Sequence, residues 1–167
     1  MQVLRDGFVD PIPDAETFAK MYARTAYHDA HYAKCEGRDY QDSARLLTRF
    51  LPLSAQVLDY GCGVGGFLSA LKAEGFVPTG VEFDKQAARA AARNTGCPVS
   101  SVDEFRAVTG PYDALHLGDM LEHPPNPLIT FRELPAMVKP GGILFVEGPL
   151  EINPGPVYWA ARLTSSR

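Results

Sequence analysis

From residue 56 to residue 147 the chain alternates between two apolar patterns. Short runs such as Val57-Leu58, Phe76-Val77, Ala114-Leu115 and Ile143-Leu144-Phe145-Val146 are bounded by glycine, proline or charge, as buried strands are. Between them the apolar residues recur at helical spacing: Phe67, Leu68 and Leu71 in one interval, Ala87, Ala88, Ala91 and Ala92 in the next. The pattern predicts strands over 56–60, 77–82, 97–101, 113–117 and 143–147. It predicts helices over 66–74, stopped by Gly75, and from a cap at Asp84 to a stop at Gly96. A single helical turn is expected at 103–108. A further helix starts at Asn126 with Pro127 in its first position, and Pro135 should kink or end it. Ahead of the first strand, Asp39 or Asp42 can cap a helix in which Ala44, Leu47 and Leu51 share a face, closed by Pro52. Asp14 can cap an earlier helix through Phe18 and Met21, and residues 155–163 suit a last one.

Strands alternating with helices imply an α/β fold, a Rossmann-like parallel sheet with helices on both faces. Right-handed crossovers give strand order 3-2-1-4-5. The chain order reverses between strands 1 and 4, and ligands bind beyond the carboxyl ends of strands at such a point. Asp59 and Gly61 end strand 1; Gly118 and Asp119 end strand 4, so these two segments should meet. Residues 1–38 read as an N-terminal arm with a lid-like helical segment, and 39–167 as the core. Tyr27, His28, His31 and Tyr32 make that first segment polar and dotted with aromatic side chains.

The chemistry concentrates in Asp59-Tyr60-Gly61-Cys62-Gly63-Val64-Gly65-Gly66. Glycines at this spacing let the backbone bend sharply and approach a ligand closely. Gly61, Gly63 and Gly66 also satisfy the dinucleotide pattern G-x-G-x-x-G. Asp59 argues for a different ligand: a carboxylate at the mouth of the loop repels pyrophosphate and favours a cationic, phosphate-free one. Glu82, closing the second strand, stands where a ribose-hydroxyl acceptor stands in either kind of site.

On these residues the chain resembles the class I S-adenosylmethionine-dependent methyltransferases of the small-molecule type. Asp59, Gly61, Gly63 and Gly65 match their acidic G-x-G-x-G motif, and Val81-Glu82-Phe83-Asp84 matches the second. Tyr112-Asp113-Ala114-Leu115-His116-Leu117 resembles their fourth strand. Met120-Leu121-Glu122-His123 with Asn126-Pro127 resembles the loop after it, and Lys139-Pro140-Gly141-Gly142 resembles the turn into the fifth. The likeness covers roughly residues 38–150. It implies S-adenosyl-L-methionine as cofactor and methyl transfer to oxygen or nitrogen of a small molecule.

In that frame Glu82 accepts from the ribose, and Asp59 reaches the amino end of the cofactor or anchors the loop. Gly61, Cys62 and Gly63 form the bend, with the Cys62 thiol packed away from the ligand. Phe83, Val102 and Asp103 border the adenine; Gly118 and Met120 border the methionine end. His123 is the candidate catalytic base, because imidazole titrates near neutral pH. Amino-methylating nucleic-acid enzymes carry an Asn/Asp-Pro-Pro-aromatic box after strand 4, where this chain has Gly118-Asp119-Met120-Leu121. Two other readings compete: a fragment of an NAD(P)-binding oxidoreductase, and a non-catalytic cofactor-binding or scaffold subunit. The family continues with a helix and two more strands, the last antiparallel, beyond the point where this chain stops. That predicts a fragment of a longer protein, or a partner covering the edge of strand 5. An exposed edge there would suit pairing between copies.

Composition narrows the partners. A net charge of −4 with no basic run disfavours nucleic acid and anionic membrane surfaces. Cys35, Cys62 and Cys97 are odd in number and lack C-x-x-C spacing, which disfavours a disulfide framework or a metal site and fits the cytoplasm. No apolar run approaches the ~20 residues of a membrane span, and the first residues do not form a signal peptide.

Overall fold

The computed structural model describes residues 14, 16–17, 40–102, 104–105, 110–120 and 132–148. Helix α1 (Tyr40–Leu47) leads to β1 (Gln56–Tyr60), α2 (Gly66–Ala73), β2 (Val77–Glu82), α3 (Lys85–Thr95), β3 (Val99–Ser101) and β4 (Tyr112–Gly118). A 3-10 turn (Leu134–Met137) then feeds β5 (Val138–Glu147). All four strand pairings are parallel, in the order β3-β2-β1-β4-β5. The expected topology is therefore the observed one.

Local chemistry explains most boundaries. Asp84 caps α3 by accepting a hydrogen bond from Ala87 N (2.7 Å), and Gly96 ends it in the left-handed conformation (φ 65°). Residue 14 also caps as expected, with Asp14 Oδ1 accepting from Thr17 N. Asp42 lies in the first turn of α1 rather than at its cap. Strand β3 is shorter than expected. Cys97 N donates to Thr95 Oγ1 (3.0 Å), so residues 97 and 98 are used in leaving α3. Pro135 falls in the 3-10 turn, which closes the preceding segment and leads directly into β5. Strand β5 starts five residues earlier than predicted. Val138 pairs with Tyr112 and Ile143 with Ala114, so Lys-Pro-Gly-Gly bulges between two paired stretches. Lys139 Nζ, 2.7 Å from Asp113 Oδ1, pins that bulge, while Asp113 Oδ2 accepts from Gln56 N.

The central strands β1 and β4 are buried on both faces, while β5 leaves Leu144 and Val146 exposed. Val57, Ala114, Phe67, Ala70 and Leu71 pack with Ala44 and Leu47 of α1. On the opposite face Leu58, Val81, Leu115, Leu117 and Met120 pack with Leu134. A third cluster, Cys62, Leu68, Ala91 and Cys97, joins α2 to α3. Burying side chains of this size is worth ~1.5–3 kcal/mol each, which holds the strand tips in fixed register beneath the site. No helix among the described residues is long and apolar enough to cross a membrane. The expected helices at 155–163 and from Asn126, and the aromatic segment at 27–32, lie outside the described residues.

Candidate functional site

The chain leaves β1 and turns through Gly61 (φ 92°), Gly63 (φ 55°) and Gly65 (φ 93°) into α2. These angles are what the glycines are for, since a side chain would be strained in each. The amide groups of this loop are largely committed to the protein itself. Gly61 N and Cys62 N both donate to Val81 O (2.8 and 3.0 Å), and Gly65 N donates to Cys62 O (3.0 Å). Gly63 N donates to Glu82 Oε2 at 2.7 Å.

Glu82 is 6% exposed at the tip of β2. Its other oxygen, Oε1, accepts from Phe83 N (2.7 Å) and Asp84 N (3.0 Å). The side chain thus ties the glycine loop to the turn that starts α3. Next to it the Phe83 ring is 53% exposed. It meets Tyr60 edge-on at 5.6 Å, and Tyr60 meets Phe105 at 6.5 Å. Val102 donates its N–H to Glu82 O (3.1 Å) and packs beside Phe105. An aromatic wall therefore borders the carboxyl ends of β1 to β3.

Cys62 turns its sulfur inward, onto Leu68, Ala91 and Cys97. Burial, and then the nearby Asp59 and Glu82 charges, push its thiol far above the usual range. It is a packing group and no nucleophile. On the β4 side, a Cβ on Gly61 would meet Met120 Cγ at 3.2 Å, so the tips of β1 and β4 touch, as their places at the switch point require. Asp119 makes the turn out of β4 at φ 47°, with its N–H on Glu147 O.

Asp59 is 2% exposed and points to the α1/α2 face. Its Oδ1 lies 2.7 Å from Nδ1 of His116, which is 3% exposed in β4. His116 Nε2 lies 3.1 Å from Glu147 Oε2, at the end of β5. Ser43 of α1 donates to the other oxygen, Glu147 Oε1, at 2.6 Å. The His116 ring is held between Phe67 (centroids 4.0 Å) and Phe145 (5.2 Å). Burial alone would lower its pKa; the bond and charge of Asp59, then those of Glu147, outweigh that and raise it to about 9.

The structure thus gathers Asp59, Gly61, Gly63, Glu82, Phe83, Val102, Gly118 and Met120 at one edge of the sheet. Asp103 and His123 lie outside the described residues. Sequence reasoning passed over Tyr60, His116, Glu147 and Ser43. The available signal was a histidine and a glutamate inside otherwise apolar strands, at the same end as Asp59. Among the described residues no cluster of side chains suits a metal ion.

Known proteins resemble this chain in sequence and in fold. A ubiquinone biosynthesis O-methyltransferase of Vibrio parahaemolyticus is 38% identical over 98 residues, 54% of this chain and 42% of that protein. One from Aliivibrio fischeri shows the same figures. The chain thus spans less than half the length of these relatives. Among solved structures, the plantazolicin methyltransferase BpumL superposes with a TM-score of 0.62 at 14% identity, over 78% of this chain and 56% of that one. The sugar N-methyltransferase KedS8 from Streptoalloteichus superposes with a TM-score of 0.58 at 24% identity, over 72% and 53%. At such identities these structures speak for the fold. The family described as methyltransferase domain matches residues 30–162, and with the acidic glycine bend, the braced Glu82 and the 3-2-1-4-5 sheet all in place, the chain belongs to that family.

Proposed function

We propose that this chain binds S-adenosyl-L-methionine and is the cofactor-holding part of a methyltransferase acting on oxygen or nitrogen of a small molecule. The observation that carries the reading is where the loop amides go. A dinucleotide loop keeps its N–H groups for pyrophosphate. Here the N–H groups of Gly61, Cys62, Gly63 and Gly65 are all taken by protein acceptors, one of them a carboxylate. Two buried acids, Asp59 and Glu82, flank the bend. A phosphate would meet negative charge and few free donors; an adenosyl sulfonium with an ammonium group meets favourable charge.

The residues fit that cofactor. Glu82 accepts from the ribose while keeping its backbone bonds, and Phe83 with Tyr60 offers an apolar wall to the adenine. Asp59 and the Gly118–Met120 turn receive the amino-acid end. Asp103, beside Val102, completes the adenine side, and His123 serves as base where the acceptor must lose a proton. The bound cofactor would supply a methyl group already activated on sulfur. The protein's remaining task is alignment, worth up to ~7–11 kcal/mol. The relatives named for ubiquinone and sugar substrates support a small hydroxylated or amino acceptor. The free, buried thiols of Cys62 and Cys97 fit a reducing cytoplasm, and the acidic balance argues against a nucleic-acid acceptor.

Calorimetric titration tests this. S-adenosylhomocysteine should bind and NADH should not; binding of NADH alone overturns the assignment. A screen of phenolic and amino-sugar acceptors with the longer parent protein then identifies the methylated atom.

A further inference from the structure

We propose that His116 is a positioning residue for the cofactor: its ring, braced from β5 and α1 by Glu147 and Ser43, holds the carboxylate of Asp59 in place for the cationic amino-acid end. This rests on the reading of the loop as an S-adenosylmethionine site.

The geometry is a continuous line of hydrogen bonds. Ser43 Oγ donates to Glu147 Oε1 (2.6 Å); Glu147 Oε2 faces His116 Nε2 (3.1 Å); His116 Nδ1 faces Asp59 Oδ1 (2.7 Å). The line crosses four elements, α1, β5, β4 and β1. Both ring nitrogens face carboxylate oxygens, which only accept when ionised. A neutral imidazole has one N–H and could serve one of them; the doubly protonated ring serves both. Among the described residues, Asp59 from β1 and Glu147 from β5 are the charged groups on the ring, and α2 contributes the face of Phe67. Within this line of side chains two carboxylates outnumber one imidazolium, which leaves negative charge beneath the loop. That charge suits a cationic ligand, and the ring keeps the two acids from repelling each other out of place.

Position connects the line to the ligand. His116 lies two residues before Gly118, and a Cβ on Gly118 would sit 2.7 Å from His116 Cε1. The ring therefore lies against the tip of β4, whose following residue pair, Asp119-Met120, packs back onto Gly61 and β5. Asp59 itself is two residues from Gly61. His116 takes one of about four acceptor positions on Asp59, so the carboxylate can hold a ligand ammonium or a bridging water while remaining bonded to the ring.

Two substitutions separate positioning from mere packing. In His116→Asn an amide nitrogen occupies the place of Nδ1 and can still donate to Asp59. In His116→Gln it reaches the place of Nε2 and can donate to Glu147 instead. The full chain is titrated with S-adenosylhomocysteine by calorimetry, with melting curves recorded for each variant. The Asn variant should bind within about threefold of the wild type. The Gln variant should bind at least about tenfold more weakly, at a melting temperature similar to that of the Asn variant. Equal affinities, or a better Gln variant, overturn the proposal. Nitrogen-15 NMR of the wild-type histidines provides the check that needs no variant. His116 should carry both ring protons at pH ~7.5, and S-adenosylhomocysteine should shift the Nδ1 proton more than the Nε2 proton. A singly protonated ring, or a doubly protonated one indifferent to the ligand, also overturns it. A wild-type chain that binds NADH and refuses S-adenosylhomocysteine defeats the site reading itself, and the two failures are thereby told apart.

Discussion

Replacing Glu82 with glutamine asks whether the glycine loop is held by that one carboxylate. The substitution preserves shape and removes charge. In the structure Oε2 takes Gly63 N (2.7 Å), and Oε1 takes Phe83 N (2.7 Å) and Asp84 N (3.0 Å). Glutamine has one carbonyl oxygen. The less costly orientation keeps the pair at Phe83 and Asp84, turning the NH2 group toward Gly63. A buried donor then faces a donor, and one bond to a charged acceptor is lost. Each such bond, with its stranded partner, is worth ~1.5–3 kcal/mol, so the expected loss is about 2–3 kcal/mol. Against a typical total of ~5–15 kcal/mol that is a large fraction. With a urea slope of ~1–3 kcal/mol per molar, the midpoint should fall by about 1 M. The melting temperature should drop by roughly 5–10 °C. S-adenosylhomocysteine affinity, measured in parallel by calorimetry, should fall at least tenfold, because the loop loses its brace and the ribose loses a charged acceptor. An unchanged urea midpoint would refute the bracing argument. Lost affinity at unchanged stability would leave Glu82 a ligand contact and nothing more.

Other outcomes follow from the same geometry. Gly65→Ala should destabilise by about 2–5 kcal/mol, combining a left-handed backbone penalty with overpacking, because the new Cβ would sit 2.6 Å from Thr95 Cγ2. Adding Thr95→Ser removes that methyl group and keeps the hydroxyl bonds to Ala91 and Cys97; the double variant should recover part of the packing loss, since Ala91 Cα and Cβ still stand 3.3 Å from the new Cβ, and retain the backbone part in urea unfolding. His116 gains proton affinity on folding, from 6.5 to about 9. A raised folded-state value means that its contribution is fully present below pH 6.5 and is lost as pH rises through about 9. Each tenfold gain in proton affinity is worth ~1.4 kcal/mol, so about 3 kcal/mol is at stake. Urea midpoints between these limits should fall with rising pH in the wild type, and the slope should flatten in His116→Asn; parallel slopes would contradict the pairing with Asp59 and Glu147.

Much of this protein is written locally in its sequence. Helices and strands were legible because the apolar period, the Asp84 cap and the Gly96 stop act over a few residues, where tertiary context has little to override. The glycine bend and its acidic neighbour were legible for the same reason: positive φ and close approach are demands on single residues. Family likeness followed from those motifs in order. What the tertiary structure decided are the pairings across long separations. Glu82 spends its carboxylate on Gly63, nineteen residues away, which turns a predicted ligand residue into a brace as well. Asp59, His116, Glu147 and Ser43 come from four separate elements, and only the parallel register, which sets Asp59 beside His116 and His116 beside Phe145, brings their polar atoms together. A strand's residues show its alternation; they do not show which neighbour will stand opposite, because that depends on crossover hand, register and the bulge in β5, all of which are properties of the folded whole.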